Sequence, residues 1–326
     1  MEKPKILSVE DVIHQIKQQN HLPRASFLAM YSSWYGGIIR DPRLMMIPVD
    51  DHVVHRGDGV FEAIKVVAGK FYALDLHLAR LARSADAIGL IFRHSIQEIR
   101  AICFATVEAA GNPENCMLRL YCTRGPGNFS TNPYDVIGGQ VYLVVTGFTP
   151  LAADKYERGV TARISQLNVK EGIFATIKSC NYLPNVLMKK EALDLKVDFT
   201  VSRDEQGNLA EGSTENFAII SAGGDFVLPK FSRILRGITA VCAMELAREH
   251  QKVLGIRQVL NASISPADAS ASREMMFLGT TIDCLPVTRF EGKAVGDGEV
   301  GPICRKLLEL LLEDMRNSGR AIATKA

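Results

Sequence analysis

The chain has 326 residues, 47% hydrophobic and 23% charged, a composition typical of one large globular domain or two ordinary ones. Its net charge is 38 − 36 = +2, which gives no electrostatic sign of nucleic-acid or membrane-surface binding. The seven cysteines include no CxxC pair, which favours reduced thiols in a cytoplasmic compartment and argues against a disulfide framework or a metal site. The N-terminus lacks the apolar core of a secretory signal, and no apolar run is long enough to span a membrane.

The first half of the chain is predicted to alternate between helical and strand patterns. Ser8 is expected to cap an N-terminal helix over 8–19, and Asp75 a second helix over 75–90. Two strands joined at 68–70 lie between them. A further helix is predicted over 95–111, and strands at 116–124 and 140–148.

The second half follows a linker at 149–159, where the periodic pattern lapses. Ser265 followed by Pro266 predicts a short helix start. The chain is therefore expected to be α+β or mixed α/β and divided into two parts near 148–158. The elements predicted beyond the linker are strands at 160–167, 198–202, 216–221 and 275–280 and helices at 185–195, 238–250 and 302–315.

One glycine pattern, GDGEVG at 296–301, matches GxGxxG but does not predict a dinucleotide site. Asp297 and Glu299 would repel a pyrophosphate, Pro302 follows at once, and too little chain remains for the required βαβ unit. A turn before the last helix is the better interpretation.

A single lysine, Lys178, stands in the uncharged stretch ATIKSCNYLPN at 175–185. Burial by Ile177, Phe174 and Ala175 would make its amine easier to deprotonate, as Schiff-base chemistry requires. Taken alone, the same pattern also fits an exposed lysine whose stem lies along the surface.

Three other polar features gain meaning only in combination with Lys178. Glu211 lies in the small polar turn LAEGSTEN, where a solvated carboxylate is the ordinary interpretation. The stretch ILRGITA at 234–240 places Gly-Ile-Thr at a helix start, which is a phosphate-binding geometry. FLGTTID at 277–283 is a second Gly-Thr turn, and Arg80 lies on an earlier helix.

Seven blocks of the sequence, which occur in family order along the chain, resemble the class IV, or fold-type IV, pyridoxal-phosphate aminotransferase family. This family includes branched-chain and D-amino acid aminotransferases and aminodeoxychorismate lyase. The resemblance extends from about 51 to 312. Its blocks are RGDGVFEAIK, DLHLARLARSA, IKSCNYLPNVLMKKEA, LAEGSTENFAI, ILRGITA, FLGTTIDCLPV and GEVGPICRKL.

The resemblance implies a small N-terminal α/β domain and a larger C-terminal pseudo-barrel domain, with pyridoxal 5′-phosphate (PLP) between them. The expected division is a 1–45 extension containing a helix, a 46–148 small domain, a 149–159 linker, a 160–318 PLP-binding domain and a 319–326 tail. Family members are usually homodimers, and a homodimer is expected here.

The resemblance also assigns roles to individual residues. Lys178 matches the lysine that forms the Schiff base with the cofactor and moves the proton between Cα and C4′. Glu211 matches the partner of the pyridinium nitrogen, so the ring can serve as an electron sink. Tyr182 resembles the tyrosine at the ring 3′-oxygen, although it lies four residues after the lysine rather than five. The phosphate is assigned to Arg80, Gly237, Ile238, Thr239 and Thr280.

Substrate choice depends on fewer positions. Arg119 aligns with an arginine that holds a distal carboxylate in branched-chain members, and Thr281 with backbone that holds the α-carboxylate. Phe129 and Thr131 replace the arginine and histidine that hold the α-carboxylate in bacillary D-amino acid aminotransferases. The resemblance therefore favours ping-pong transfer between a branched-chain-type amino acid and 2-oxoglutarate.

Three alternatives stay open at this point. The chain could be a D-amino acid aminotransferase, because some D-active members lack the arginine and histidine. It could be a 4-amino-4-deoxychorismate lyase that releases pyruvate with the same lysine. More remotely, it could be a PLP-binding protein without turnover. In each case small molecules are the expected ligands, without nucleic acid, membrane or metal.

Overall fold

The structure is a computed structural model that describes residues 3–19, 26–168, 170 and 172–317, together with the backbone of 320–321. Two β-sheets with helices packed against them form the described chain, so the expected mixed α/β class is confirmed. The helices are α1 Val9–Gln18, α2 His52–Arg56, α3 Leu74–Ala87, α4 Ile96–Ala109, α5 Ala153–Arg158, α6 Ile173–Thr176, α7 Leu183–Asp194, α8 Ile238–Glu249, α9 Gln251–Leu254, α10 Pro266–Ser270 and α11 Pro302–Asn317, with a 3-10 helix at Pro42–Leu44.

The strands of the first sheet are β1 Phe27–Ser32, β2 Gly37–Ile39, β3 Gly59–Val67, β4 Lys70–Phe71, β5 Cys116–Thr123, β6 Gln140–Gly147 and β15 Arg320–Ala321. They lie in the order β15-β4-β3-β5-β6-β1-β2. All of their pairings are antiparallel. Residues that alternate along β3, such as Val60 and Ile64, are buried in one apolar cluster with α3 and α4.

The strands of the second sheet are β7 Val160–Asn168, β8 Phe199–Arg203, β9 Asn216–Ile220, β10 Phe226–Leu228, β11 Val259–Asn261, β12 Glu274–Gly279, β13 Asp283–Phe290 and β14 Lys293–Ala294. Seven of these eight strands lie in the order β11-β10-β9-β12-β13-β7-β8, and β14 pairs with β13. The pairings are mixed, because β7 runs parallel to both β8 and β13. Apolar clusters lie on both faces of the sheet, one of them beneath α8 and α11.

Helix starts follow the predicted chemistry at two positions and differ at a third. Ser8 and Ser265 both cap their helices through capping boxes. The predicted cap Asp75 is wrong, because the turn after β4 passes through Ala73 at φ 49° and the helix begins at Leu74. Asp75 lies in the first turn instead and forms an ion pair with Arg100.

The predicted domain limits do not coincide with the limits of the sheets. β1 and β2 lie inside the predicted extension 1–45, yet β1 pairs with β6 of the first sheet. The predicted linker 149–159 contains α5, and β15, from the predicted tail, pairs with β4. The division into domains remains a prediction.

Candidate active site

The backbone around Lys178 is held against the first sheet. Lys178 accepts a hydrogen bond at its carbonyl from Phe61 N at 3.0 Å, and its own N–H donates to Ser84 Oγ at 3.3 Å. Cys180 N donates to Gly59 O at 2.8 Å. The chain after α6 therefore adds to the start of β3, which fixes the position from which the lysine side chain extends.

The Lys178 amine lies among aromatic side chains. Its Nζ is 4.5 Å from the centroid of the Phe61 ring and 3.4 Å from Tyr182 Oη. Burial, followed by the charge of Arg80, lowers the pKa of Lys178 to about 8, against the opposing effect of Glu62 and Glu211. About a tenth of the amine is then neutral at pH 7, so the group is suited to attack a carbonyl carbon.

One part of the sequence-based account of this burial is wrong. Ile177 and Ala175 are buried, but Phe174 is 59% exposed. Its place beside the amine is taken by Phe61, which β3 supplies, and by Tyr182, which precedes α7. The difference arises because α6 is a single short turn of four residues, in which only Ala175 is buried.

Glu211 is a carboxylate that lacks a cationic partner among the described residues. Leu235 N donates to its Oε2 at 3.2 Å, and Ser202 binds its carbonyl through both N and Oγ. Burial raises the pKa of Glu211 to about 8, although Lys178 and Lys170 act in the opposite direction. An enclosed carboxylate is costly without a cation, so this position suits a protonated ring nitrogen.

A second set of donors converges where α8 begins. The Arg80 guanidinium donates from Nη1 to Arg236 O at 3.1 Å, immediately before the N-cap Gly237. No side chain within the described ranges caps α8. Its first N–H groups, including that of the buried Thr239, can therefore bind an anion.

A single cavity brings most of the predicted site residues together. Arg119 and Thr281 are not among the described residues that line it. Asn185, Glu215 and Asn216 also line it and were not predicted. The predicted residues in its wall are Arg80, Lys178, Tyr182, Glu211, Gly237, Ile238, Thr239 and Thr280.

Arg119 lies outside that cavity on the face of the first sheet that carries Phe61. It is partly buried on β5, and its Nη1 donates to Thr146 Oγ1 at 3.0 Å. Two residues further along β5, Tyr121 stacks on Phe61 with ring centroids 5.9 Å apart. Phe61, Tyr121 and Tyr182 form an aromatic wall that starts beside Lys178. Arg119 lies at the end of this wall that is farther from Lys178. Thr281 is exposed in the turn after β12.

Two buried polar residues beside Arg80 were missed by the sequence analysis. Glu62 and His77 are 0% and 1% exposed, and their side chains contact each other. A signal was available for Glu62, because it is a charged residue in a strand whose neighbours Val60 and Ile64 are apolar. Its partners, however, could not be identified before the packing of α3 on β3 was known.

The described residues contain no group of three or more His, Cys, Asp or Glu side chains that could hold a metal ion. Likewise, none of the helices in the described ranges is both long enough and apolar enough to cross a membrane.

Comparison with known proteins gives the class of this site. The family model of class IV amino-transferases matches residues 59–290. The chloroplastic D-amino-acid transaminase of Arabidopsis thaliana is 37% identical over 294 residues, covering 89% of this chain and 77% of that protein. A putative branched-chain-amino-acid aminotransferase of Methanocaldococcus jannaschii is 28% identical, covering 85% of this chain and 93% of its own.

The fold has the same relatives. The crystal structure of Escherichia coli branched-chain amino acid aminotransferase superposes with a TM-score of 0.79 at 25% identity, covering 86% of this chain and 92% of that one. The chain therefore belongs to the class IV aminotransferase family. It is a PLP-dependent transaminase, and the family, fold class and cofactor expected from the sequence are confirmed.

Proposed function

We propose that the chain transfers amino groups between amino acids with apolar side chains and 2-oxoglutarate, in a ping-pong reaction that depends on Lys178. The observation that carries this proposal is that Lys178, Glu211 and the start of α8 line one cavity.

The residues present fit the cofactor. When bound, PLP supplies an electrophilic carbon and an electron sink. Arg80, the first N–H groups of α8, Thr239 and Thr280 would hold its phosphate. Glu211 would pair with the ring nitrogen, and Tyr182 would contact the ring oxygen, since its hydroxyl lies 3.4 Å from Lys178 Nζ. Glu211, buried without a cationic partner in the described part of the chain, is the feature that a ligand without a basic nitrogen would leave unexplained.

Lys178 would also move the proton that transamination requires. A general base works best when its pKa is near the working pH, and burial places the pKa of Lys178 at about 8. Phe61 and Tyr182 flank the amine, with their ring centroids 4.5 and 5.8 Å from Nζ. The lysine would therefore take a proton from the substrate Cα and return it at C4′ of the bound cofactor.

The aromatic wall and Arg119 support the choice of substrates. Phe61, Tyr121 and Tyr182 present apolar surface next to the amine, which suits a branched aliphatic side chain. Arg119, beyond them, can bind the distal carboxylate of 2-oxoglutarate. The two substrates of one ping-pong cycle would thus use the same wall in different ways.

A second candidate function is transamination of D-amino acids. It is supported by the 37% identity to a protein named as a D-amino-acid transaminase. Phe129 and Thr131 lie in a loop held by Arg56, which donates to Phe129 O, and by His52, whose Nε2 is 3.1 Å from Asn128 O. That loop carries neither the arginine nor the histidine of the bacillary site, and we therefore propose that the enzyme prefers L-amino acids.

A half-reaction tests the proposal and separates the candidates. The PLP-loaded enzyme is mixed with L-leucine, L-glutamate, D-alanine or D-glutamate without an oxo acid, and loss of the cofactor's visible absorbance is followed. Conversion by the two L-amino acids alone is expected. Conversion by D-amino acids alone would establish the second candidate. No conversion by any of them, with pyruvate released from 4-amino-4-deoxychorismate, would replace both by the lyase.

Replacing Arg119 with alanine is expected to raise the KM for 2-oxoglutarate by about tenfold, because a charge-assisted hydrogen bond to the distal carboxylate is lost. The KM for a branched-chain oxo acid should change less than about twofold. Arg163→Ala, which removes an exposed strand arginine 3.8 Å from Glu291, is the control. Equal effects of Arg119→Ala on both oxo acids would contradict the assignment.

The rate at which the cofactor-free protein captures PLP should increase with pH up to about 8. Only the neutral Lys178 amine attacks, so the rate should rise about tenfold per pH unit below the pKa of about 8 and then level off. The measurement is stopped-flow absorbance between about pH 6 and about pH 9. A rate that keeps rising toward pH 10, as for an ordinary lysine, would show that the amine is not desolvated.

The homodimer and the cytoplasmic location remain predictions. Exposed aromatic residues at Trp34, Tyr35, Phe129 and Tyr134 give the described chain apolar surface that a second copy can cover. Sedimentation velocity of the purified protein tests this, and a monomer at micromolar concentration would contradict it.

A further inference from the structure

The guanidinium of Arg80 is held by a carboxylate from the neighbouring strand. Arg80 Nε donates to Glu62 Oε1 at 2.7 Å, and Arg80 Nη2 donates to Glu62 Oε2 at 2.6 Å. Because these two hydrogen bonds are parallel, they fix the plane of the guanidinium as well as its position. The remaining edge, at Nη1, faces Arg236 O and the start of α8.

His77 completes this arrangement. Its Nδ1 lies 2.7 Å from Glu62 Oε2, and His77 and Arg80 are three residues apart on one face of α3. Burial lowers the pKa of His77 despite the charge of Glu62, so the ring is neutral. A carboxylate only accepts hydrogen bonds, and therefore the proton of the neutral ring resides on Nδ1.

The three side chains are almost completely buried. Glu62, His77 and Arg80 are 0%, 1% and 5% exposed. Burial would raise the pKa of Glu62, but the charge and hydrogen bonds of Arg80, with those of His77, lower it to about 2. The carboxylate thus stays ionised at every pH at which the enzyme would work, and its geometry does not change with protonation.

We infer that Glu62 and His77 are positioning residues that orient Arg80 toward the cofactor phosphate before the cofactor arrives. This inference rests on the proposed function, because it requires the PLP phosphate to bind at Arg80 and α8. The carboxylate cancels part of the charge of Arg80, so a purely Coulombic site would bind phosphate more weakly with Glu62 than without it. The pairing is useful to the site only if a fixed guanidinium outweighs that loss.

The test compares the affinity for PLP with the affinity for pyridoxal, which lacks the phosphate. Both dissociation constants are measured by equilibrium dialysis of the cofactor-free protein. Glu62→Gln is expected to weaken PLP binding by about tenfold and to leave pyridoxal binding unchanged. Unchanged or tighter PLP binding by this variant would overturn the inference.

The Lys65–Asp283 pair provides a matched control. It is also a buried ion pair made by β3, with Nζ 2.6 and 2.8 Å from the two carboxylate oxygens, and it lies away from the described cavity. Lys65→Met should alter thermal stability without changing the ratio of the PLP and pyridoxal affinities. A ratio that changes equally in both variants would show that any damage to β3 produces the effect.

Four further variants keep the test decisive if Glu62→Gln fails to fold: Glu62→Gln/Arg80→Gln, Arg80→Gln, His77→Leu and His77→Gln. In the Glu62→Gln/Arg80→Gln double variant the affinity ratio should equal that of Arg80→Gln, since Glu62 acts through Arg80.

If Glu62→Gln does not fold, the His77 variants provide the test. His77→Leu should weaken the binding of PLP and leave that of pyridoxal unchanged. His77→Gln, which can still donate to Glu62, should restore the affinity for PLP. Equal PLP affinity in His77→Leu and wild type would overturn the inference. A wild-type protein that binds both compounds equally would instead contradict the proposed function.

Discussion

Replacing Lys178 with alanine is expected to reduce transamination by about 10⁴-fold or more, because one amine both bonds the cofactor and moves the proton. The protein should remain folded, since Lys178 forms no ion pair in the described ranges and its backbone contacts to Phe61 and Ser84 do not depend on its side chain. The measurements are steady-state turnover and a thermal midpoint, which should stay within about 4 °C of wild type.

Lys190→Ala is the matched control for that variant. Lys190 lies on α7, is largely exposed and pairs with Asp194, so its loss should cost only about 0.5 kcal/mol of stability and no activity. Normal turnover in Lys178→Ala would remove the lysine from the chemistry. A loss of turnover in both variants would show that the change acts through the fold and not through the amine.

Replacing Glu211 with glutamine is expected to slow removal of the substrate Cα proton by about 10²-fold or more. The neutral amide can no longer hold the ring nitrogen in its protonated form, and a preorganised charge of this kind typically contributes that factor. The measurement is the half-reaction with Cα-deuterated and unlabelled amino acid, in which the isotope effect should increase as proton removal becomes limiting. A change in rate below about threefold would contradict the pairing.

Glu211→Gln should also change the free energy of unfolding, in the direction of a more stable protein. In the folded wild-type protein without cofactor, burial raises the pKa of Glu211 from 4.5 to about 8. Between these two pH values Glu211 is protonated in the folded chain and ionised in the unfolded chain. The stability of the wild-type protein should therefore fall as pH rises through that interval, by roughly 3 kcal/mol at pH 7. The glutamine variant lacks this loss, so urea unfolding should show it to be more stable than wild type at pH 7.

Glu274→Gln separates the two effects. Glu274 is another buried carboxylate whose pKa is raised by burial, and it accepts hydrogen bonds from Ile303 N and Cys304 N at the start of α11. This variant should alter stability and leave proton removal unchanged. A slow half-reaction in Glu274→Gln would mean that the Glu211 result reflects general damage to the second sheet.

Local sequence patterns predicted most of the elements, and they failed where the backbone geometry was set by a neighbour. Strands were predicted at the positions of β3 and β5, and the Ser-Pro pair predicted the start of α10. The start of α3 was displaced, because Ala73 takes a left-handed conformation that its residue type does not favour. The pairing of β1 with β6 joins positions more than a hundred residues apart, so no local pattern could indicate it.

The sequence by itself determined the class of this protein, because a lysine, a carboxylate and two Gly-Thr turns occur in a fixed order that the class IV family shares. It also determined which residue types could hold PLP. Only the tertiary structure decided that Arg119 lies beyond an aromatic wall, outside the cavity with Lys178, and that Glu62 and His77 hold Arg80. The reason is physical. The order of the motifs can be read directly from the linear sequence. The partner of a buried charge depends instead on how helices and strands pack. Packing brings together residues such as Lys65 and Asp283, which are 218 positions apart.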